Sequence, residues 1–165
     1  RKIAAASASV LDLEAHLFAR APAGAQVRLL RANTQSQQKG LVLQELKKFL
    51  EREDISPRQV ALICPSAKEK GSLADVSDID GVAFVTSVDK WRDDGGLLVT
   101  TARSFKGLEA DVVILYDLGE FWKVFRREDL YVAFTRARVL LIAVSHGTES
   151  RTVITTAIEA SEAQE

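Results

Sequence analysis

Short apolar runs rich in β-branched residues recur along the chain and predict strands at Gln59–Cys64, Leu97–Thr101 (LLVTT), Asp111–Tyr116 (DVVILY) and Arg138–Val144 (RVLLIAV). Runs of this length with little alternation are typical of strands buried on both faces, as in a parallel sheet. A more modest alternation through Val27, Leu29 and Leu30 predicts a further strand over Gln26–Ala32, followed by a polar turn over Asn33–Gln38. Between and around the runs the period changes to that of helices. Ile3–Arg20 is alanine- and leucine-rich and stops before Pro22 and Gly24. Leu41, Leu46, Phe49 and Leu50, with Glu45 and Lys48, form a stripe that ends near Asp54, before the Ser56-Pro57 break. From about Arg126 to Ala137, Arg127, Tyr131 and Thr135 fall on one line and Leu130 with Phe134 on its neighbour, which predicts an amphipathic helix feeding the last strand. Residues 66–96 mix polar loop, an apolar run at Gly81–Val85 and an Asp93-Asp94-Gly95-Gly96 turn. Glu149–Glu165 is acidic and alanine-rich and reads as a surface helix that frays.

Alternation of buried strands with helices predicts an α/β domain with a mainly parallel sheet. Within it, one polar turn stands out: Arg103, Lys106, Gly107 and Glu109 crowd the connection between the Leu97–Thr101 and Asp111–Tyr116 strands. A turn after Thr101 lies at the carboxyl end of a strand, where open α/β sheets bind ligands, and its glycine permits close backbone approach. Arg136, at the junction of the predicted helix with the last strand, is a second candidate, because a guanidinium binds phosphate oxygens bidentately and stays protonated.

Taken together and in this order, TARSFKGLEADVV (Thr101–Val113) and LYVAFTRAR (Leu130–Arg138) resemble the late motifs of superfamily 1 helicases, in the UvrD/Rep-like group of ATP-dependent DNA helicases. The resemblance covers most of residues 26–147. It implies a single RecA-like domain, the C-terminal or second one of the motor, over residues 1–148, with an acidic helix or tail at 149–165. It further implies that Glu109 contacts the nucleotide ribose, with Lys106, Gly107 and Tyr131 on the nucleotide side. Thr100, Thr101 and Arg103 would face DNA, and Arg136 would be the catalytic finger that reaches the γ-phosphate across the domain boundary. Family members often carry histidine where this chain has Arg103; an arginine there can still bond a phosphate or stack on a base. The implied substrate is ATP with Mg²⁺, bound mainly by a first RecA-like domain. The implied partners are that N-terminal domain and single-stranded or duplex DNA.

Composition sharpens this picture in two places. No Gly-Lys dipeptide occurs, so the G-x-x-x-x-G-K-[ST] loop that cradles phosphates is missing, as is a D-E pair after an apolar strand for Mg²⁺ and water. The absence of methionine and the start at Arg1 predict a fragment, with Arg1-Lys2-Ile3 resembling the residues just downstream of an N-Y-R-S/T motif in such helicases. The inserted subdomain of the best-known members is not expected between Pro65 and Leu97. The formal net charge is −1, although Phe121–Arg138 holds five basic residues against two acidic ones, a local net of +3. Near-neutrality overall predicts weak autonomous DNA binding, since nonspecific affinity follows the number of phosphates neutralised. No apolar stretch approaches the ~18 residues of a membrane span, no leader pattern is visible, and the cytoplasm is the default location. The single cysteine, Cys64, excludes an internal disulfide and a multi-cysteine zinc site.

Plain structural readings stand beside several of these assignments. Trp91, Trp122 and Phe125 can stack on bases, yet core or loop packing explains them too. Tyr131 divides between packing and a nucleotide or interdomain contact, and Asp111 reads as the start of a strand. His16 and His146 have no metal-ligand company, so no metal site is expected. Two other functions use the same fold: a nucleotide-dependent switch that does not unwind, and a domain kept only for protein interaction.

Overall fold

The computed structural model describes residues 26–52, 54–119 and 127–162. The predicted helix over Ile3–Arg20, with its Pro22–Gly24 stop, lies outside them, as do His16, Trp122, Lys123, Phe125 and Arg126. Seven strands form one sheet: β1 (Gln26–Arg31), β2 (Val60–Cys64), β3 (Asp78–Ile79), β4 (Val82–Val85), β5 (Leu97–Thr101), β6 (Ala110–Leu118) and β7 (Ala137–Ser145). Their order across the sheet is β1-β7-β6-β2-β5-β4-β3. All neighbours are parallel except the short β3–β4 pair. This is the mainly parallel α/β sheet that the apolar runs predict.

Burial on both faces follows from the parity of those runs. Ala61, Ile63, Leu98, Val113, Leu115, Leu141 and Ala143 point into one core, with Trp91, Phe105, Phe134 and Ile154 above them. Leu62, Leu97, Val99, Ile114, Ile142 and Val144 point into the other, beneath Val42, Leu46 and Phe49. Each strand side chain that leaves water on either face adds ~1.5–3 kcal/mol of apolar driving force, which is why no polar alternation survives in β5 and β7's second half.

The helices are α1 (Gln35–Leu50), α2 (Val88–Asp93), α3 (Arg127–Phe134) and α4 (Thr148–Glu162). Helix α1 begins earlier than its apolar stripe. The expected turn over Asn33–Gln38 is instead its first turn: Thr34 caps the helix, its side chain accepting from the Gln37 N–H at 3.1 Å, and Gln38 is fully buried. The cap satisfies a donor that helix geometry orphans, and it outweighs the absence of apolar residues there. After α1, Ser56 and Gln59 form a capping box around a single 3-10 turn led by Pro57, which delivers the chain to β2. Helix α3 is shorter than the predicted Arg126–Ala137. Thr135 turns its hydroxyl back onto the Tyr131 and Val132 carbonyls, and the chain enters β7 two residues later. Residues 66–96 resolve into a 3-10 turn at Lys68–Lys70, the β3–β4 hairpin and α2. The acidic C-terminal segment forms α4, which docks on the sheet through fully buried Ser150 and Ile154.

Candidate functional site

Because β5 and β6 both run parallel to β2, the chain cannot turn tightly between them. Thr101 pairs with Cys64, and Ile63 pairs with Leu115, which sets Thr101 level with Tyr116. Strand β6 begins at Ala110, six positions earlier, so residues 102–109 must travel back along the sheet by roughly 20 Å at the usual rise of a strand. The single crevice expected after Thr101 is therefore split between two opposite edges of the sheet.

At the carboxyl edge, Thr101 organises the start of this crossover. Its Oγ1 accepts from the Ser104 N–H at 3.3 Å and lies 3.1 Å from Ser104 Oγ, while the Phe105 N–H donates to the Thr101 carbonyl at 3.0 Å. The hydroxyl thus does the work of a local cap. Arg103 is exposed beside it. Thr100, expected on the DNA side, is only 8% exposed and faces the core side of β5. A side chain so covered is poorly presented to a polymer, and we drop it from the candidate contacts.

At the amino edge the crossover ends next to the TRA segment. The Ala110 N–H donates to the Arg136 carbonyl at 3.1 Å, and Ala110 pairs with Ala137. Glu109, exposed, and half-buried Arg136 therefore flank one backbone junction. The Arg136 Nε is buried and has no hydrogen-bond partner among the described residues. Lys106 is exposed, and Gly107 has φ +84 with nothing within 4 Å of where a Cβ would stand. The glycine takes a left-handed backbone that other residues rarely adopt. Tyr131 is half-buried on α3, its carbonyl held by Thr135. Asp111 accepts from Gln59 Nε2 at 2.5 Å and lies 3.7 Å from Arg138 Nε, a structural role that removes Arg138 from the free cations of this edge.

A third cluster escapes sequence reasoning. Between Leu115 and Leu118, β6 advances three positions against two on β7, and in this bulge Asp117 takes φ +58. Bulges re-aim side chains, and here the carboxylate turns onto the carboxyl edge. It accepts from Gln38 Nε2 at 2.8 Å and from the Ser72 N–H at 2.8 Å. Gln38 Oε1 in turn lies 3.2 Å from His146 Nδ1. The amide of Gln38 donates to the carboxylate, so the imidazole must donate from Nδ1. Asp117 thereby clasps the first turn of α1, the loop after β2 and the ends of β6 and β7. Asp117 immediately follows an apolar run and His146 follows the end of another after Ser145, so both are readable as strand-end residues; their adjacency is not, because it depends on the pairing of β6 with β7. Nearby, Cys64 is buried, and burial pushes its thiol up to about 11. Burial also raises the Tyr116 phenol, with Cys64 beside it as a further cause.

Among the described residues no group of three or more His, Cys, Asp or Glu side chains is placed to hold a metal ion, and no helix is long and apolar enough to cross a membrane. Trp91 is buried against Phe105, in the core and away from any stacking surface.

The class that the fold and these segments define is a mostly parallel, three-layer α/β domain of the kind found as a helicase C-terminal domain. The crystal structure of the C-terminal domain of a possible DNA helicase from Lactobacillus plantarum WCFS1 shares this fold, with a TM-score of 0.65 and 19% sequence identity over 88% of this chain and 84% of that one. Residues 96–144, which contain both the crossover and the helix–strand junction, match the family model of the UvrD-like helicase C-terminal domain. No curated protein matches the chain.

Proposed function

We propose that the chain is the second, responding RecA-like domain of an ATP-dependent DNA helicase. One observation carries this reading: a single eight-residue crossover joins half-buried Thr101 and exposed Arg103 at one edge of the sheet to a Glu109–Arg136 pair at the other. A motor needs these two surfaces to be separate and mechanically joined. On this reading DNA runs over Thr101 and Arg103, and ATP, as substrate, sits at the amino edge against a first domain. Glu109 accepts hydrogen bonds from the ribose hydroxyls, with Lys106, Gly107 and Tyr131 contributing to the same surface. Arg136 supplies its fork to charge developing on the transferring phosphoryl group; the buried, unpaired Nε fits an arginine whose anionic partner comes from outside this domain. Mg²⁺ would be held by the first domain and neutralise phosphate charge there. This chain's contribution is to orient the nucleotide and to stabilise the transition state in trans.

The test is Arg136→Ala in the full-length protein. An arginine finger accounts for ~10³–10⁵ in rate where measured, so DNA-stimulated ATP hydrolysis should fall by at least ~10³. The chain by itself should show neither tight ATP binding nor hydrolysis. Undiminished turnover by Arg136→Ala, or DNA-stimulated turnover by the chain alone, refutes the assignment.

A further inference from the structure

We infer that Trp91 is a positioning residue: its ring, packed on Phe105, is the pivot through which the two ends of the 102–109 crossover move together. This rests on the functional reading above and deepens it by naming what joins its two surfaces. The crossover meets the core at few points. Ala102, Phe105 and, in part, Leu108 are covered, whereas Arg103, Ser104, Lys106, Gly107 and Glu109 are exposed. Phe105 is fully buried and is tied in both directions, its N–H donating to the Thr101 carbonyl at 3.0 Å and its carbonyl accepting from the Leu108 N–H at 3.1 Å. A displacement of the Thr101 turn therefore reaches Phe105 directly, and a displacement of Phe105 reaches Leu108 and, one residue on, Glu109.

What Phe105 turns against comes from another element. Trp91, on α2, is 6% exposed and lies with its ring centroid 6.2 Å from that of Phe105, the planes tilted by 56°. That is the tilted geometry aromatic pairs favour, and interiors this dense transmit small shifts instead of absorbing them. The Trp91 indole N–H is buried without a hydrogen-bond partner. Ring packing alone, with no directional bond, holds the indole, so its position follows that of Phe105. A tilted pair held by packing, and tied through Phe105 to both ends of the crossover, is a contiguous element by which a shift at one surface reaches the other.

The experiment compares Trp91→Leu, which removes the aromatic ring, with Trp91→Phe, which keeps a ring and deletes only the N–H, in the full-length protein. Trp91→Leu should leave hydrolysis without DNA within about twofold of wild type and single-strand affinity within about threefold. Its stimulation by DNA should fall at least tenfold, and Trp91→Phe should retain half or more of the wild-type stimulation. Basal and stimulated rates falling together in Trp91→Leu would indicate a merely structural role and overturn the pivot, as would full stimulation or a Trp91→Phe as impaired as Trp91→Leu. Absence of any DNA-stimulated hydrolysis in the wild type is a distinct result: it overturns the motor reading, and the pivot with it. A readout that leaves Trp91 unchanged guards against misfolding. In this chain, which has two tryptophans, a Trp122→Phe background isolates the emission of Trp91. That emission should shift on saturation with single-stranded oligonucleotide at low salt, and an unmoved spectrum overturns the proposal.

Discussion

Replacing Asp117 tests how the carboxyl edge is held together. In Asp117→Ala, Gln38 Nε2 loses the acceptor now 2.8 Å away, and because Gln38 is fully buried no water replaces it. An orphaned buried amide costs ~1–3 kcal/mol. The Ser72 N–H loses its 2.8 Å bond as well, worth ~0.5–1.5 kcal/mol at that half-buried position. Alanine also tolerates φ +58 less well than aspartate does. The expected loss is about 3 kcal/mol, a large share of the ~5–15 kcal/mol that stabilises a typical domain. Asp117→Gly loses the same bonds but relieves the backbone, and should be milder than alanine by roughly 1 kcal/mol. Asp117→Asn keeps one acceptor and should be the mildest of the three. A companion change probes the same contact: a Cβ at Gly71 would stand 2.6 Å from Asp117 Oδ2, so Gly71→Ala should destabilise the wild type and cost far less in the Asp117→Ala background. Urea unfolding with an unchanged slope measures all of these. An Asp117→Ala variant within ~0.5 kcal/mol of wild type, or additive Gly71 and Asp117 effects, would refute the clasp.

The remaining expectations concern the buried thiol and the crossover glycine. Cys64 titrates near 9.0 when unfolded and is pushed up to about 11 by burial in the fold. Between these values the unfolded state binds fewer protons, so stability is complete below about pH 9 and declines by roughly 2–3 kcal/mol as pH rises toward 11. Cys64→Ala should flatten that decline in pH-dependent urea melts, and the wild-type thiol should resist alkylation at neutral pH; rapid labelling of the folded chain would contradict both. Gly107→Ala should lower stability by ~1–2 kcal/mol through its φ of +84 alone, since nothing crowds its Cβ position. A thermal midpoint unchanged from wild type would mean that the turn relaxes freely.

Sequence was informative wherever burial is decided by local pattern. The runs at β2, β5, β6 and β7 are apolar on both faces, and a run without alternation has few ways to leave water except as an inner strand of a parallel sheet. KGLE and TRA were legible as candidate sites because charged side chains crowd turns beside such strands. The start of α1 was not legible, because Gln35 to Gln38 offer no apolar period and the helix there rests on the Thr34 cap and on the burial of Gln38 under Asp117.

Register and strand order were decided by the tertiary structure. That β5 and β6 are both parallel to β2 sends residues 102–109 back along the sheet, and it separates Thr101 and Arg103 from Glu109, though these are close in sequence, and sets Glu109 beside the distant Arg136. That β6 pairs with β7 brings Asp117, Gln38 and His146 together from three distant points of the chain. Hydrophobic pattern specifies which face of a segment is buried; it does not specify which segment lies beside it. That choice belongs to the packed sheet, where all the pairings are satisfied at once.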